Sequence, residues 1–266
     1  MTSTPARGDT VLSSLSGSGG NATVVEARDG RQVHRVVIDC GFSLREFETR
    51  LARAGLQPSE LDAVFVTHEH GDHVGCALGL ARRHGLPLWT SRGTWRAIGG
   101  GESGIEPNFA RDGEPVAIGA LRLLPYTVPH DAAEPLQLRC SDGATSLGVL
   151  TDAGSITAHL LAQLRGCAAL LLECNHDARM LAGSRYPASL KARIAGPHGH
   201  LSNDLAAQIL AECAHGGLRH VVAAHLSEQN NTPDLARAAL AAACGAAASD
   251  ILVADPAEGI AWLDLA

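Results

Sequence analysis

Lysine is almost missing from this chain, which holds a single one, Lys191, and positive charge as a whole is in deficit: 21 Lys and Arg against 28 Asp and Glu give a formal net charge of −7. That excludes a broad basic face that grips nucleic-acid phosphates through charge alone, because neutralising phosphates takes clustered Lys and Arg. It does not exclude a nucleic-acid substrate. Bound cations add charge that the count omits, and one local group, Arg179, Arg185, Lys191 and Arg193, is basic. Long apolar runs are also absent, none approaching the roughly 20 residues of a membrane span, so no membrane insertion is expected. The seven cysteines contain no C-x-x-C pair and fit neither a disulfide framework nor a zinc ribbon. They read as buried thiols, with Cys40 set apart by following Asp39 directly. Met1 to Asp9 lacks the basic start and apolar stretch of a secretory signal, which points to a cytoplasmic product with a fraying N-terminal tail over 1–9.

What is present is a chain of 266 residues without an internal linker, and we read 1–266 as one domain. Short Val-, Ile- and Leu-rich runs that end in polar, His- or Asp-bearing turns predict strands at Arg35 to Asp39, Leu61 to Thr67, Leu121 to Val128, Ser146 to Leu150, Ala168 to Leu172 and His220 to Ala224. Helical patterns lie between several of them: Leu44 to Ala54, Val74 to His84, Ile156 to Leu164, Asn203 to His215 and Pro233 to Ala243, with Ser43 and Ser202 placed to cap two of these. Alternation of this kind predicts sheets covered by helices, with Asp250 to Ala254 and Ile260 to Asp264 as a final hairpin or edge. The Gly-rich stretch from Arg92 to Gly113 reads as a surface loop or lid beside the site.

The chemistry concentrates after the strand that ends at Thr67, in His68-Glu69-His70-Gly71-Asp72-His73. Three imidazoles and a carboxylate within six residues have no evident use in packing and suit zinc, manganese or iron. Alternating positions can face one side while Gly71 lets the backbone turn, leaving Asp72 and His73 for a second ion; Glu69 is expected to point away. Further candidates follow other strands: His130 after Val128, Asp152 after Leu150 and His225 after Ala224. Each alone is as plausible as a turn or capping residue; with the loop cluster they complete a set.

This order of motifs, Asp, H-x-H-x-D-H, His, Asp, His, resembles the metallo-β-lactamase superfamily, and the resemblance implies an α/β fold, an αββα sandwich of two mixed β-sheets flanked by helices. Carried across, it implies two divalent ions, one on His68, His70 and His130 and one on Asp72, His73 and His225, with Asp152 bridging and Asp39 orienting a ligand imidazole from behind. More narrowly the chain is similar to the YycJ/WalJ group, related to ribonuclease Z, through Ser16-Gly17-Ser18-Gly19-Gly20-Asn21, Val128-Pro129-His130-Asp131-Ala132, Glu173-Cys174-Asn175-His176-Asp177, Gly199-His200-Leu201-Ser202-Asn203 and His225-Leu226-Ser227 with Asn230-Asn231. Gly19 stands where that group usually has serine.

The resemblance implies a phosphodiesterase in which hydroxide formed on the metal attacks phosphorus, and, for this group, a 5′-to-3′ exonuclease on double-stranded DNA. We expect His200 to give the leaving alkoxide its proton while Glu173 fixes its ring, although a place at the start of a helix would also explain His200. His176, Asp177 and Asn203 are candidates for contacting substrate or supporting a ligand, and the Ser16 to Asn21 loop for offering backbone N–H groups to a phosphate, a hairpin tip being an equal reading. Competing functions are a small-molecule cyclic phosphodiesterase of the phosphoribosyl cyclic phosphate type, transfer-RNA 3′ processing, a thioester or lactam hydrolase, and a scaffold that has lost its chemistry. The complete ligand set speaks against the last, and a placed proton donor favours an alkoxide leaving group over a thiolate. The sequence leaves the native metal and the oligomeric state open.

Overall fold

The computed structural model describes residues 10–14, 20–30 and 32–265. Its strands fall into two sheets of seven. The first contains β1 (Thr10–Ser14), β2 (Thr23–Asp29), β3 (Gln32–Ile38), β4 (Ala63–Phe65), β5 (Leu88–Thr90) and β6 (Asn108–Phe109). The second contains β7 (Val116–Ile118), β8 (Leu121–Thr127), β9 (Leu136–Ser141), β10 (Ser146–Leu150), β11 (Ala169–Glu173), β12 (His220–Ala224) and β13 (Ile251–Val253), and the last strand, β14 (Leu263–Asp264), returns to pair with β1. Each sheet is antiparallel on one side and parallel on the other, the change falling at β3 in the first and at β10 in the second.

The parallel strands explain the near-continuous apolar runs of the sequence, since a strand covered on both faces needs no polar side. In β11, Ala169 and Leu171 point into the core between the sheets, where they meet Ile38, Phe65, Leu138, Val149 and Val222. Leu170 and Leu172 point the other way, into a second core. That outer core is closed by α5 (Ala158–Leu164), α8 (Asn203–Cys213) and α9 (Pro233–Cys244), and a matching one on the first sheet by α1 (Leu44–Arg53) and α3 (Ala77–His84). Helix, sheet, sheet, helix is therefore the layer order, the αββα sandwich expected. Truncating a fully buried side chain such as Leu171 to alanine costs about 2–5 kcal/mol at such a position. Ser43, Thr157, Ser202 and Thr232 each accept the N3 backbone N–H of the helix they precede.

Two expectations need correction. The helix predicted from Val74 to His84 is two, α2 (Gly71–Val74) and α3, because Gly75 takes φ +31° and lies so close to the Cys40 carbonyl that a Cβ would stand 2.4 Å from its oxygen. The stretch from Arg92 to Gly113 is not a lid: it forms α4 (Arg92–Ala97) and β6, and none of its residues lines the cleft over the His/Asp cluster. Of the two readings for the last strands, hairpin or edge, the structure has the edge, β13 closing one sheet and β14 the other. Two short helices, α6 (Ala178–Gly183) and α7 (Ala188–Ile194), have no counterpart among the sequence patterns and stand between β11 and α8. The tail over 1–9 and the Ser16 to Gly19 part of the first motif lie outside the described residues.

Candidate metal centre and cleft

The ends of strands from both sheets converge on one cluster. His68, His70, Asp72 and His73 come from the turn after β4 and from α2. His130 follows β8, Asp152 follows β10, Glu173 closes β11 and His225 follows β12. His200 belongs to the segment between α7 and α8. Two residues of the cluster region, Asp39 and His225, hold φ of 61° and 55°, a left-handed backbone that non-glycine residues adopt only where the surroundings enforce it. Around His225 that enforcement is visible: Asn175 Nδ2 donates to its carbonyl at 3.2 Å, while Ser227 N donates to Asn175 O at 2.8 Å.

Two buried carboxylates set the imidazoles. Asp39 Oδ2 accepts from His73 Nδ1 at 2.8 Å, and the Thr67 hydroxyl donates to the same carboxylate at 2.8 Å. With its proton committed there, Thr67 Oγ1 accepts from His68 Nδ1 at 3.0 Å, so one carboxylate orients two rings. His130 Nδ1 donates to Gly199 O at 3.0 Å. In His68 and His130 Nε2 thereby keeps its lone pair, whereas His73 Nε2 lies 3.1 Å from Asn21 Nδ2 and 2.9 Å from Asp152 Oδ2. The Nε2 atoms of His68 and His130 stand 3.1 and 3.2 Å from His70 Nδ1, three ring nitrogens converging with no proton assigned between them. Glu173, fully buried, accepts four donors: His200 Nδ1 at 2.8 Å and His225 Nδ1 at 3.1 Å on one oxygen, Ala153 N at 2.9 Å and Leu201 N at 3.2 Å on the other.

This geometry tests the residues against divalent cations, and they fit. Asp152 is buried, and its Oδ2 has no aligned hydrogen-bond donor although His73 Nε2 lies 2.9 Å away. A carboxylate oxygen opposite an imidazole lone pair is repulsive unless a cation or proton lies between. His68, His70 and His130 form one group of candidate ligand atoms, Asp72, His73 and His225 another, and Asp152 stands with His68 and His73 between them. Nitrogen and carboxylate oxygen are donors suited to zinc, manganese or iron. The electrostatics follow the same division. Burial, then the neighbouring imidazoles, holds His68 well below the usual histidine range, and burial also lowers His130. For His73 burial opposes charge, but Asp152 and Asp39 outweigh it and raise the ring well above that range. His225 is pushed up to about 9 against its own burial, by Asp152, Asp72 and Glu173. His200 rises to about 11, where burial is outweighed by Glu173 and Asp152. Asp152 and Asp72 are lowered despite burial by the imidazoles around them. Protons and cations thus compete for the same atoms.

A cleft of about 580 Å³ opens over this cluster, lined by His70, Gly71, Asp72, Asp152, His200 and His225 at its base. Its walls are Asp131, Asn175, Tyr186, Leu190, Arg193, Ile194 and Ser227 to Gln229. Glu69 does point away, accepting from Ala133 N at 2.6 Å. Three sequence candidates are not brought to the cleft. Asp177 caps α6 by accepting from Arg179 and Met180 N–H. Asn203 is buried in a reciprocal amide pair with Asn231, at 2.9 and 2.8 Å. His176 is buried and bridges to Ser202. The Asn21 backbone N–H is taken by Asp72 O at 2.8 Å and so is not free for a phosphate. Cys40 is fully buried with its Sγ 3.5 Å from that of Cys76, and burial pushes its thiol up. Of the basic group, only Arg193 reaches the cleft. Tyr186, Leu190 and Gln229 escape sequence reasoning because they lie outside every chemical motif; Asn175 stands inside one, with nothing in the motif to mark its task.

Comparison with known proteins gives the same picture. Residues 34–226 match the family model described as beta-lactamase superfamily domain. Exodeoxyribonuclease YycJ of Bacillus anthracis is 33% identical over 225 residues, covering 84% of this chain and 84% of that protein. Exodeoxyribonuclease WalJ of Streptococcus pneumoniae is 30% identical over 226 residues, covering 83% and 82%. In structure, the metallo-β-lactamase fold protein YhfI of Bacillus subtilis superposes with a TM-score of 0.71 at 15% identity, over 96% of this chain and 99% of that one. The chain belongs to the beta-lactamase superfamily and is a hydrolase of the metallo-β-lactamase fold.

Proposed function

We propose that this protein is a metal-dependent phosphodiesterase, a 5′-to-3′ exonuclease acting on double-stranded DNA. The observation that carries the reading beyond a generic hydrolase is His200, which lines the cleft beside the candidate ligands and is held from behind by the buried Glu173, in a chain that is 33% identical to a protein named exodeoxyribonuclease. Substrate and polarity rest on the likeness to the YycJ/WalJ group. In this reading His68, His70 and His130 hold one divalent ion, Asp72, His73 and His225 a second, and Asp152 lies between them. Such ions would make a bound water acidic and offset charge on a phosphoryl oxygen.

The chain's own residues supply the rest. Glu173 fixes His200 through Nδ1, which turns the other ring nitrogen toward the cleft as a proton donor for the leaving alkoxide. Asp39 holds His73 directly and His68 through Thr67, so that both rings keep their ligating nitrogens aimed inward. Digestion of end-labelled single- and double-stranded DNA and RNA with added manganese or zinc tests the proposal. Wild-type protein is expected to shorten duplex DNA from the 5′ end, and the Asp72→Ala variant to do so at a rate lower by two orders of magnitude or more. Exclusive turnover of a small cyclic phosphate, with every polynucleotide left intact, would replace it with the small-molecule reading.

A further inference from the structure

Helix α7 turns a half-buried apolar stripe to the cleft. None of its residues is buried, yet Leu190, Arg193 and Ile194, spaced i, i+3 and i+4 on one face, all line the cleft that holds His200. Tyr186, just ahead of the Pro187 cap, joins them. Glu228 and Gln229 also line this cleft. An aromatic ring and two aliphatic side chains, each half-buried and lining a cleft over a cluster of charges, match a flat apolar ligand group. The distribution of charge says how such a group would lie. Glu228 repels phosphate but accepts from the amino edge of a base, whereas Arg193 is the cation available to a backbone phosphate, its Nε now donating to Asp131 at 2.6 Å. At about 580 Å³ the cleft is in the range of sites that take one small molecule, which suits a single nucleotide.

Resting on the nuclease reading, we propose that Tyr186, with Leu190 and Ile194, is the stacking platform for the base of a single unpaired terminal nucleotide, with Arg193 on its phosphate and Glu228 and Gln229 along the base edge. Stacking on an aromatic face is tolerant of sequence, because every base has one. With Glu228 and Gln229 taking the edge that a Watson–Crick partner would occupy, a terminal base pair must open before its base can seat there. The platform is also tied to the proton donor, since His200 N donates to Ile194 O at 2.9 Å.

The test compares kcat/KM on oligonucleotides that are identical except at the terminus: a natural base left unpaired, the same base closed by a G·C pair, and an abasic residue. Wild-type protein should cut the unpaired natural terminus roughly 10-fold or more faster than either of the others. Tyr186→Ala should lose the preference for the natural over the abasic terminus, and Tyr186→Phe should keep it. Equal rates on natural and abasic termini with wild-type protein would overturn the platform and leave the nuclease reading standing. If no polynucleotide is cut while a small phosphodiester is, the nuclease reading fails and takes the platform with it. The wild-type comparison needs no variant to fold.

Discussion

Replacing Glu173 with glutamine exchanges one carboxylate oxygen for an NH2 with almost no change in volume, and the four donors around it decide the outcome. The backbone N–H groups of Ala153 and Leu201 can only donate, so the amide oxygen must face them. Its NH2 is then turned to the Nδ1 atoms of His200 and His225, both of which have to become acceptors and move their proton to Nε2. In His225 that nitrogen stands 3.4 Å from Asp72 Oδ2, within the candidate ligand group, and a protonated Nε2 cannot bind a cation. The expected result is a 10- to 100-fold loss of metal affinity, roughly the usual scale for removing the partner behind a ligand imidazole. Stability should fall by about 1–3 kcal/mol, because charge-assisted bonds become neutral ones but no donor is orphaned. Glu173→Ala, by contrast, strands all four donors at about 1–3 kcal/mol each and should compromise folding itself. Competition for zinc against a chromophoric chelator, turnover of bis-p-nitrophenyl phosphate and calorimetric unfolding measure the three quantities. A glutamine variant with wild-type metal affinity and rate would refute the assignment of tautomers on which this rests.

His200→Ala should lower phosphodiester turnover roughly 100-fold or more while metal content, read by elemental analysis, holds; unchanged turnover would remove His200 as the donor. Gly41→Ala should destabilise the fold by about 3 kcal/mol or more and weaken metal binding, since a Cβ there would meet the Asp72 carbonyl oxygen at 1.7 Å, with thermal unfolding as the check. For metal-free protein, His225 at about 9 and His200 at about 11 are both raised above the ordinary value, so the stability they contribute is complete below about pH 6.5 and is lost as pH rises through those values. Its melting temperature should therefore drop between about pH 7 and 10. On the acid side, Asp152 and Glu173, both lowered, contribute stability that is lost as pH falls below the carboxylate range. Adding zinc at neutral pH should raise the melting temperature in proportion to the logarithm of free metal beyond its dissociation constant, and a flat response would contradict a built metal site.

Much of the molecule is legible in its sequence, and the parts that are not have physical reasons. Strands such as β10 and β11 can be read because full burial on both faces writes an uninterrupted apolar run. The three-residue strands β5 and β7 and the two-residue β6 carry too few residues for any period to register, and their pairing is fixed by neighbours across the sheet. In the cluster, the density of His and Asp around His70 announces itself. The separate roles of Asp177, Asn203 and His176 do not, because a cap, a reciprocal amide pair and a substrate contact all call for the same short polar side chains. Tyr186 and Gln229 reach the cleft through the path of α7 and the turn after His225, which no local pattern encodes.

The candidate donors come from two layers: His68, His70, Asp72 and His73 follow a strand of the first sheet, whereas His130, Asp152 and His225 follow strands of the second. Neither layer carries a full set. On the proposed ligation, occupancy of the site would gauge how the two halves of the sandwich are seated on each other, and a substitution deep in the shared core, remote from any donor, would empty it by letting one half slide.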